Sequence, residues 1–192
     1  MSDPSNDAPV LSVVVLSWNT QGLTLACLKA LFAEEPKHTR EVIVVDNGSE
    51  DGSADAIEQQ FPQVRLLRNP DNRLYAEGNN QGAAMARGEL LVTLNSDTEV
   101  REGALDKLVD FLREHPDYGA AAPRLSDPDG TVQYACQRFP TLLTVLYFDS
   151  WFGSFWPGSR HVNRYNMRDF DHLVSRDVDQ PPGACCMMRT KE

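Results

Sequence analysis

Glu41-Val42-Ile43-Val44-Val45-Asp46-Asn47-Gly48-Ser49-Glu50-Asp51-Gly52-Ser53 decides the fold. A β-branched apolar run without polar alternation reads as a strand buried on both faces. It stops abruptly on a dense cluster of turn formers and helix caps. A short helix is expected next, from Ala54 to Gln60. Upstream, Leu11-Ser12-Val13-Val14-Val15-Leu16 repeats the buried-strand pattern and ends on Ser17-Trp18-Asn19. Between the two runs, Leu23, Cys27, Leu31 and Leu28, Phe32 recur at helical spacing, which predicts a helix from Gly22 to Phe32.

Downstream, Val64 to Leu67 reads as a third strand, followed by a polar loop from Arg68 to Glu77 and a small-residue helix from Gly78 to Arg87. Glu89 to Leu94 reads as a fourth strand, ending on Asn95-Ser96-Asp97. A helix with Leu105, Leu108, Val109 and Leu112 on one face follows, closed by Pro116. Tyr118 to Ala122 can form a further short strand. Alternating strands and helices imply right-handed crossovers between parallel strands, hence an α/β fold with an open, mostly parallel sheet flanked by helices.

After Pro123 the rhythm is lost. Asp127-Pro128-Asp129-Gly130 signals a turn, with Thr131 to Gln133 as a strand leaving it. Most of the aromatic residues then crowd between Tyr134 and Phe170. The stretch from Phe139 to Trp156 is expected in part to face an acceptor or a membrane surface. Cys185-Cys186-Met187-Met188 reads as a buried strand of soft apolar fillers. Residues 1–9 are polar and expected to be a disordered lead-in. Residues 10–192 are expected to form one domain, with 10–122 binding nucleotide and 123–192 forming an irregular acceptor side.

The 192 residues carry 18 Lys and Arg against 28 Asp and Glu, a formal charge of −10. That argues against a nucleic-acid binder, which needs a basic face. A single diphosphate can still be held by a metal ion and a few backbone N–H groups. No apolar run approaches the roughly 20 residues of a membrane span. Four cysteines without a CxxC pair suit neither a zinc site nor a disulfide framework. A cytoplasmic protein, peripheral at most to the inner face of a membrane, is the expectation.

Ligands of an open parallel sheet bind beyond the carboxyl ends of its strands. Here three ends carry polar groups: Ser17 and Asn19, Asp46, and Asn95 with Asp97. Each alone is ordinary turn chemistry; together on one edge they point to a site. Asp97, just past a strand, suits Mg²⁺ or Mn²⁺, which take one or two protein oxygens and the rest from water and diphosphate. Asn95 can offer a neutral oxygen or reach a ribose. Asp46 can accept from a base imide or a ribose hydroxyl. Asn79 or Asn80 can enter a nucleotide pocket, with Arg73 near base or phosphates. There is no GxGxxG, P-loop or GxSxG.

The ordered series VVVLSWN, VIVVDNGSEDGS, GNNQG and LLVTLNSDTEV resembles family 2 glycosyltransferases with the GT-A fold, and within them the rhamnosyltransferase-like branch. The segments around Arg138-Phe139-Pro140-Thr141 and Pro182 to Arg189 extend the likeness from Leu11 to Arg189. The resemblance implies an inverting, metal-dependent transfer of a sugar, such as rhamnose, from a nucleoside-diphosphate donor to a glycan or lipid-linked acceptor in polysaccharide biosynthesis. By position, Ser17, Asn19 and Asp46 would line the base and ribose pocket. Asn79 or Asn80 would hold the nucleotide, and Asp97 the metal. Gly183 would lie by the donor sugar, where a missing side chain allows close approach.

Three departures stand out, the first being Asn95, which stands where many relatives have Asp, although Asn is common in this branch. Arg73-Leu74-Tyr75 replaces the family's Gly-Phe-Ala type of sequence. The acidic motif that supplies the family's general base has no match before Glu192, so the base is expected beyond that residue and these residues are expected to bind donor but transfer sugar poorly. The alternatives are a nucleotidyltransferase of sugar phosphates, whose glycine-rich phosphate loop is missing here, and a non-catalytic nucleotide-sugar-binding fragment.

Overall fold

The computed structural model describes residues 8–144, 160–168 and 170–190. The expected lead-in lies almost wholly outside these residues, and so does most of the aromatic stretch from Phe139 to Trp156. The described elements are β1 (Leu11–Ser17), α1 (Gln21–Leu31), β2 (Arg40–Asp46), α2 (Ser53–Gln60), β3 (Arg65–Arg68), α3 (Leu74–Met85), β4 (Leu90–Asn95), α4 (Ala104–Glu114), β5 (Ala120–Ala121), α5 (Arg160–Tyr165) and β6 (Cys185–Arg189).

The sheet runs β3-β2-β1-β4-β6-β5. Strands β1 to β4 are parallel, as expected, and β6 pairs antiparallel with both β4 and β5. The chain forms two units, residues 1–123 with 183–192, and residues 124–182. The C-terminal strand therefore belongs to the sheet and not to the segment before it, because its apolar residues pair along β4 from Leu94↔Cys185 to Leu90↔Arg189. Val13 to Val15, Val42 to Val45 and Leu90, Val92 and Leu94 are all buried, which is why these strands read as continuous apolar runs.

Helix α1 buries Thr24, Cys27, Leu28 and Leu31. Leu23, counted above on its apolar face, is exposed. Helix α3 begins at Leu74, four residues before the expected start, and ends at Met85. The reason lies partly outside the segment. The Asn72 Oδ1 accepts the Leu74 N–H at 2.8 Å, and Asn47 Nδ2 donates to the Leu74 carbonyl at 3.3 Å. These bonds hold Leu74 at φ +65°, a strained value for a leucine.

Three arginines on strands reach helix C-termini. Arg40 donates to the Leu31 carbonyl of α1, Arg65 to the Met85 carbonyl of α3 at 2.8 Å, and Arg189 to the carbonyls of Leu112 in α4 and His115 just beyond it. Each satisfies carbonyls that the helix leaves open and places a cation at the negative end of its dipole.

In the unit of residues 124–182, the expected turn is present: Asp127 N–H donates to the Thr131 carbonyl and Gly130 N–H to Asp127. The strand expected at Thr131–Gln133 is reduced to a single bridge, Ser126↔Val132. Cys136, Met167 and Phe170 form a small core with Val178.

Helix α3 lies on the sheet through glycines one turn apart. A Cβ on Gly82 would sit 2.3 Å from Val14 Cγ1, and one on Gly78 2.5 Å from Leu16 Cδ1. Gly22 in α1 has nothing within 4 Å of such a Cβ. Helix propensity favours alanine at both helices by about 1 kcal/mol, so packing decides the sign. Gly22→Ala is expected to raise stability by about 0.5–1 kcal/mol. Gly82→Ala is expected to lower it by roughly 1–3 kcal/mol through overpacking. Urea unfolding monitored by circular dichroism reads both.

At the opposite end of the sheet, Glu41 gathers Ser12 Oγ, Arg65, and the backbone and side chain of Arg87. Burial on its own would raise this carboxyl. The bonds from Ser12, Arg65 and Arg87 outweigh it and hold the pKa at about 2, against an ordinary 4.5. A depressed pKa gives stability that is complete above the unfolded value and is lost as pH falls through the folded one. The wild type is thus expected to lose stability between pH 4.5 and 2, and Glu41→Gln to flatten that part of the acid-unfolding curve while costing stability at pH 7.

Candidate functional site

The strand register assembles the site. Ser17 of β1 lies opposite Asp46 of β2, and Leu16 opposite Asn95 of β4. The chain leaves β1 toward β2 on one side, and β4 flanks it on the other, so the order of strands reverses between β1 and β4. That switch point is where open α/β sheets bind ligands.

Asp46 is 3% exposed. One carboxylate oxygen, Oδ2, accepts the Ser49 N–H at 3.1 Å. The other, Oδ1, is buried without a hydrogen-bond partner. A buried acceptor in that state costs about 1–3 kcal/mol and calls for an explanation.

Asn47, beside it, organises the neighbouring loop. Its Oδ1 accepts from Asn69 Nδ2 at 3.1 Å and from the Arg73 N–H at 3.0 Å, and its Nδ2 donates to Asn72 Oδ1 at 2.8 Å. Sequence reasoning placed Asn47 at the strand end but gave it no role; its partners lie more than twenty residues away. Arg73 is exposed, and its Nε pairs with Asp71 at 2.6 Å.

Asn19 stitches two strand-end loops together. Its N–H donates to Ser49 Oγ at 2.9 Å and its Oδ1 accepts the Glu50 N–H at 2.8 Å. It does so at φ +52°, which asparagine tolerates. Ser17 is fully buried, with Oγ 2.9 Å from Thr24 Oγ1. Thr24 in turn contacts Thr20, and Thr20 contacts Ser96, each at 3.1 Å. Four hydroxyls thus run in a chain beneath the β1 and β4 ends. Asn79 Nδ2 donates to the Tyr75 carbonyl at 2.9 Å, while Asn80 is exposed on α3.

Tyr75 is the residue that sequence reasoning missed. Its hydroxyl lies 3.2 Å from Asn95 Oδ1 and 3.1 Å from the Gly183 carbonyl, joining α3, the end of β4 and the approach to β6. Burial raises its pKa, so it is a proton donor at neutral pH. Gly183 is exposed, and among the described residues a Cβ added there would meet only Tyr75 Oη, at 3.8 Å. Packing within the protein does not require glycine at this position.

Asp97 is exposed, and among the described residues no hydrogen bond or ion pair engages it. Its charge reaches Cys27, whose thiol is pushed up to about 12 mainly by burial; burial also pushes Cys185 up to about 12. Both thiols are protonated and inert. No group of three or more His, Cys, Asp or Glu is placed to hold a metal among the described residues. One unpaired carboxylate fits a hard cation whose remaining ligands are water and phosphate oxygens. It does not fit a cation caged by protein alone.

Known proteins resemble this chain. Residues 12–191 match the family model "Glycosyl transferase family 2". An N-acetylglucosaminyl-diphospho-decaprenol L-rhamnosyltransferase of Mycobacterium tuberculosis is 28% identical over 94% of this chain and 61% of its own length. The O-antigen biosynthesis protein RfbC of Myxococcus xanthus is 34% identical over 69% of this chain and 10% of its own. The chain therefore spans about three fifths, or less, of these relatives. Among solved structures, the mannosyltransferase PcManGT of Pyrobaculum calidifontis, in complex with GDP-Man and Mn²⁺, superposes with a TM-score of 0.55 at 25% identity, over 64% of this chain and 37% of that one. S. aureus TarS in complex with UDP-GlcNAc gives 0.57 at 20% identity, over 72% of this chain and 42% of that one, and shows the fold alone. With a GT-A sheet, its polar strand ends in register and a family model covering nearly its whole length, the chain belongs to glycosyl transferase family 2.

Proposed function

We propose that the β1–β2–β4 edge binds a nucleoside-diphosphate sugar together with a divalent cation, and that the protein transfers the sugar with inversion to a glycan or lipid-linked acceptor. The orphaned Asp46 Oδ1 carries this reading. An N–H of a base or a hydroxyl of a ribose would satisfy it, and an ionised carboxylate can only accept. Asp97 is the residue that would hold Mg²⁺ or Mn²⁺, which when bound neutralises charge on the diphosphate leaving group. Asn79 and Asn80 flank the nucleotide from α3, and Arg73 would give up Asp71 to reach base or phosphate. Gly183 leaves room for the donor sugar. The identity of the sugar as rhamnose and of the acceptor as a polyprenyl-linked glycan draws support from the mycobacterial relative's own activity.

Titration calorimetry with UDP and dTDP, in Mn²⁺ and in EDTA, tests this. Asp97→Ala is expected to remove the enhancement by Mn²⁺ and to leave metal-free affinity nearly unchanged. Asp46→Ala is expected to weaken both conditions about tenfold or more, as loss of a hydrogen bond to a charged group does. Equal wild-type affinity in Mn²⁺ and EDTA would remove the metal assignment. Gly183→Val is expected to keep the melting temperature while reducing affinity for nucleotide sugars more than for the nucleoside diphosphates. Equal losses for both would place the donor sugar elsewhere.

A further inference from the structure

An amide offers one acceptor oxygen and two donor hydrogens, on opposite sides of one carbon. Which of them Asn95 presents decides whether it can serve a cation or an anion. In the structure its Oδ1 lies on the Tyr75 hydroxyl at 3.2 Å, and among the described residues its Nδ2 has no partner. The single Tyr75 phenol proton is shared between the Asn95 oxygen and the Gly183 carbonyl, 3.1 Å away, and the helix that carries Tyr75 is seated on the sheet through Gly78 and Gly82. Asp97, two residues on and within electrostatic range of Tyr75, favours the positive end of the amide dipole on the open side.

From this geometry we infer that Tyr75 is a positioning residue that sets the chemistry of Asn95. By holding the amide oxygen it leaves Asn95 as an N–H donor to oxygens of a nucleoside diphosphate, so that metal ligation within residues 95–97 falls to Asp97. The inference rests on the reading of this edge as a nucleotide-sugar site. The amide turned over would also be hydrogen-bonded, with Nδ2 on the phenol oxygen and the phenol proton on the Gly183 carbonyl. It would then leave Oδ1 free for a cation. The two orientations give opposite responses to a carboxylate at position 95.

The experiment measures UDP and dTDP affinity in Mn²⁺ and in EDTA for the wild type, Tyr75→Phe, Asn95→Asp and the double variant. Thermal melts confirm that each variant folds, and the electron paramagnetic resonance of bound Mn²⁺ serves as a readout independent of turnover. Asn95→Asp replaces a donor by a second anionic oxygen beside Asp97. Metal-free affinity is expected to fall about tenfold, while the enhancement by Mn²⁺ grows and the Mn²⁺ spectrum changes. Tyr75→Phe releases the amide and is expected to move both quantities the same way by a smaller factor. A carboxylate has two equivalent oxygens and no orientation to set, so the double variant is expected to match Asn95→Asp alone.

Unchanged affinities for Tyr75→Phe in both conditions would overturn the role of Tyr75. So would a double variant weaker than Asn95→Asp by the full Tyr75→Phe factor. Unchanged metal-free affinity for Asn95→Asp would favour the reversed amide and overturn the donor assignment. Wild-type protein that binds neither nucleotide in either condition would refute the nucleotide-sugar reading itself and this inference with it.

Discussion

The close approach of α3 to the sheet is the constraint on which the site depends. A helix separated from a strand by ordinary side chains could not bring its first turn so near the strand ends. With hydrogen atoms alone at positions 78 and 82, Val14, Leu16 and Val45 pack directly against the helix. Tyr75 then reaches across to Asn95 and Gly183, and the loop before the helix falls within range of Asn47. The strain at Leu74 follows from the same arrangement. The chain must turn sharply into a helix whose position the sheet has already set, and two asparagines hold it there.

The two ends of the sheet are stabilised by opposite means. At the end remote from the site, Glu41 is fully committed to Ser12, Arg65 and Arg87, and its charge is met on every side. At the site end, carboxylates and amides are incompletely paired among the described residues: one oxygen of Asp46, the whole carboxylate of Asp97 and the amino group of Asn95. Three arginines, Arg40, Arg65 and Arg189, are spent on helix C-termini at Leu31, Met85 and Leu112, and these cations serve the scaffold. A net charge of −10 on a protein whose proposed ligand is an anion makes sense with a divalent cation between them.

The sheet was legible in the sequence because its signals are local. Three buried strands, β1, β2 and β4, announce themselves by continuous apolar runs, and the turn and cap residues after each mark the functional edge. The register that sets Ser17 against Asp46 and Leu16 against Asn95 follows from parallel pairing of strands of similar length. What was not legible depends on long-range contacts. The start of α3 is fixed by Asn47 and by sheet packing, and neither leaves a periodic signal in residues 69–77. Cys185 to Met188 read correctly as a strand, but its antiparallel direction and its place beside β4 come from β4's free flank. Tyr75 carried no motif. Its only sequence signal was that Arg73-Leu74-Tyr75 departs from the family's usual residues, and the departure proves to hold the link between Asn95 and Gly183.

The hydroxyls of Ser17, Thr24, Thr20 and Ser96 form a row in which each group has one proton to give. Such a row has two self-consistent senses, all donating toward Ser96 or all donating toward Ser17. Reversing it rotates four light atoms and moves no heavy one. Neighbouring members polarise one another, so the row turns over as a unit. Its Ser96 end lies between Asn95 and Asp97, and its Ser17 end lies in register with Asp46. The sense of the row thus ties the polarity of the Ser96 hydroxyl to that of Ser17 without any change of shape.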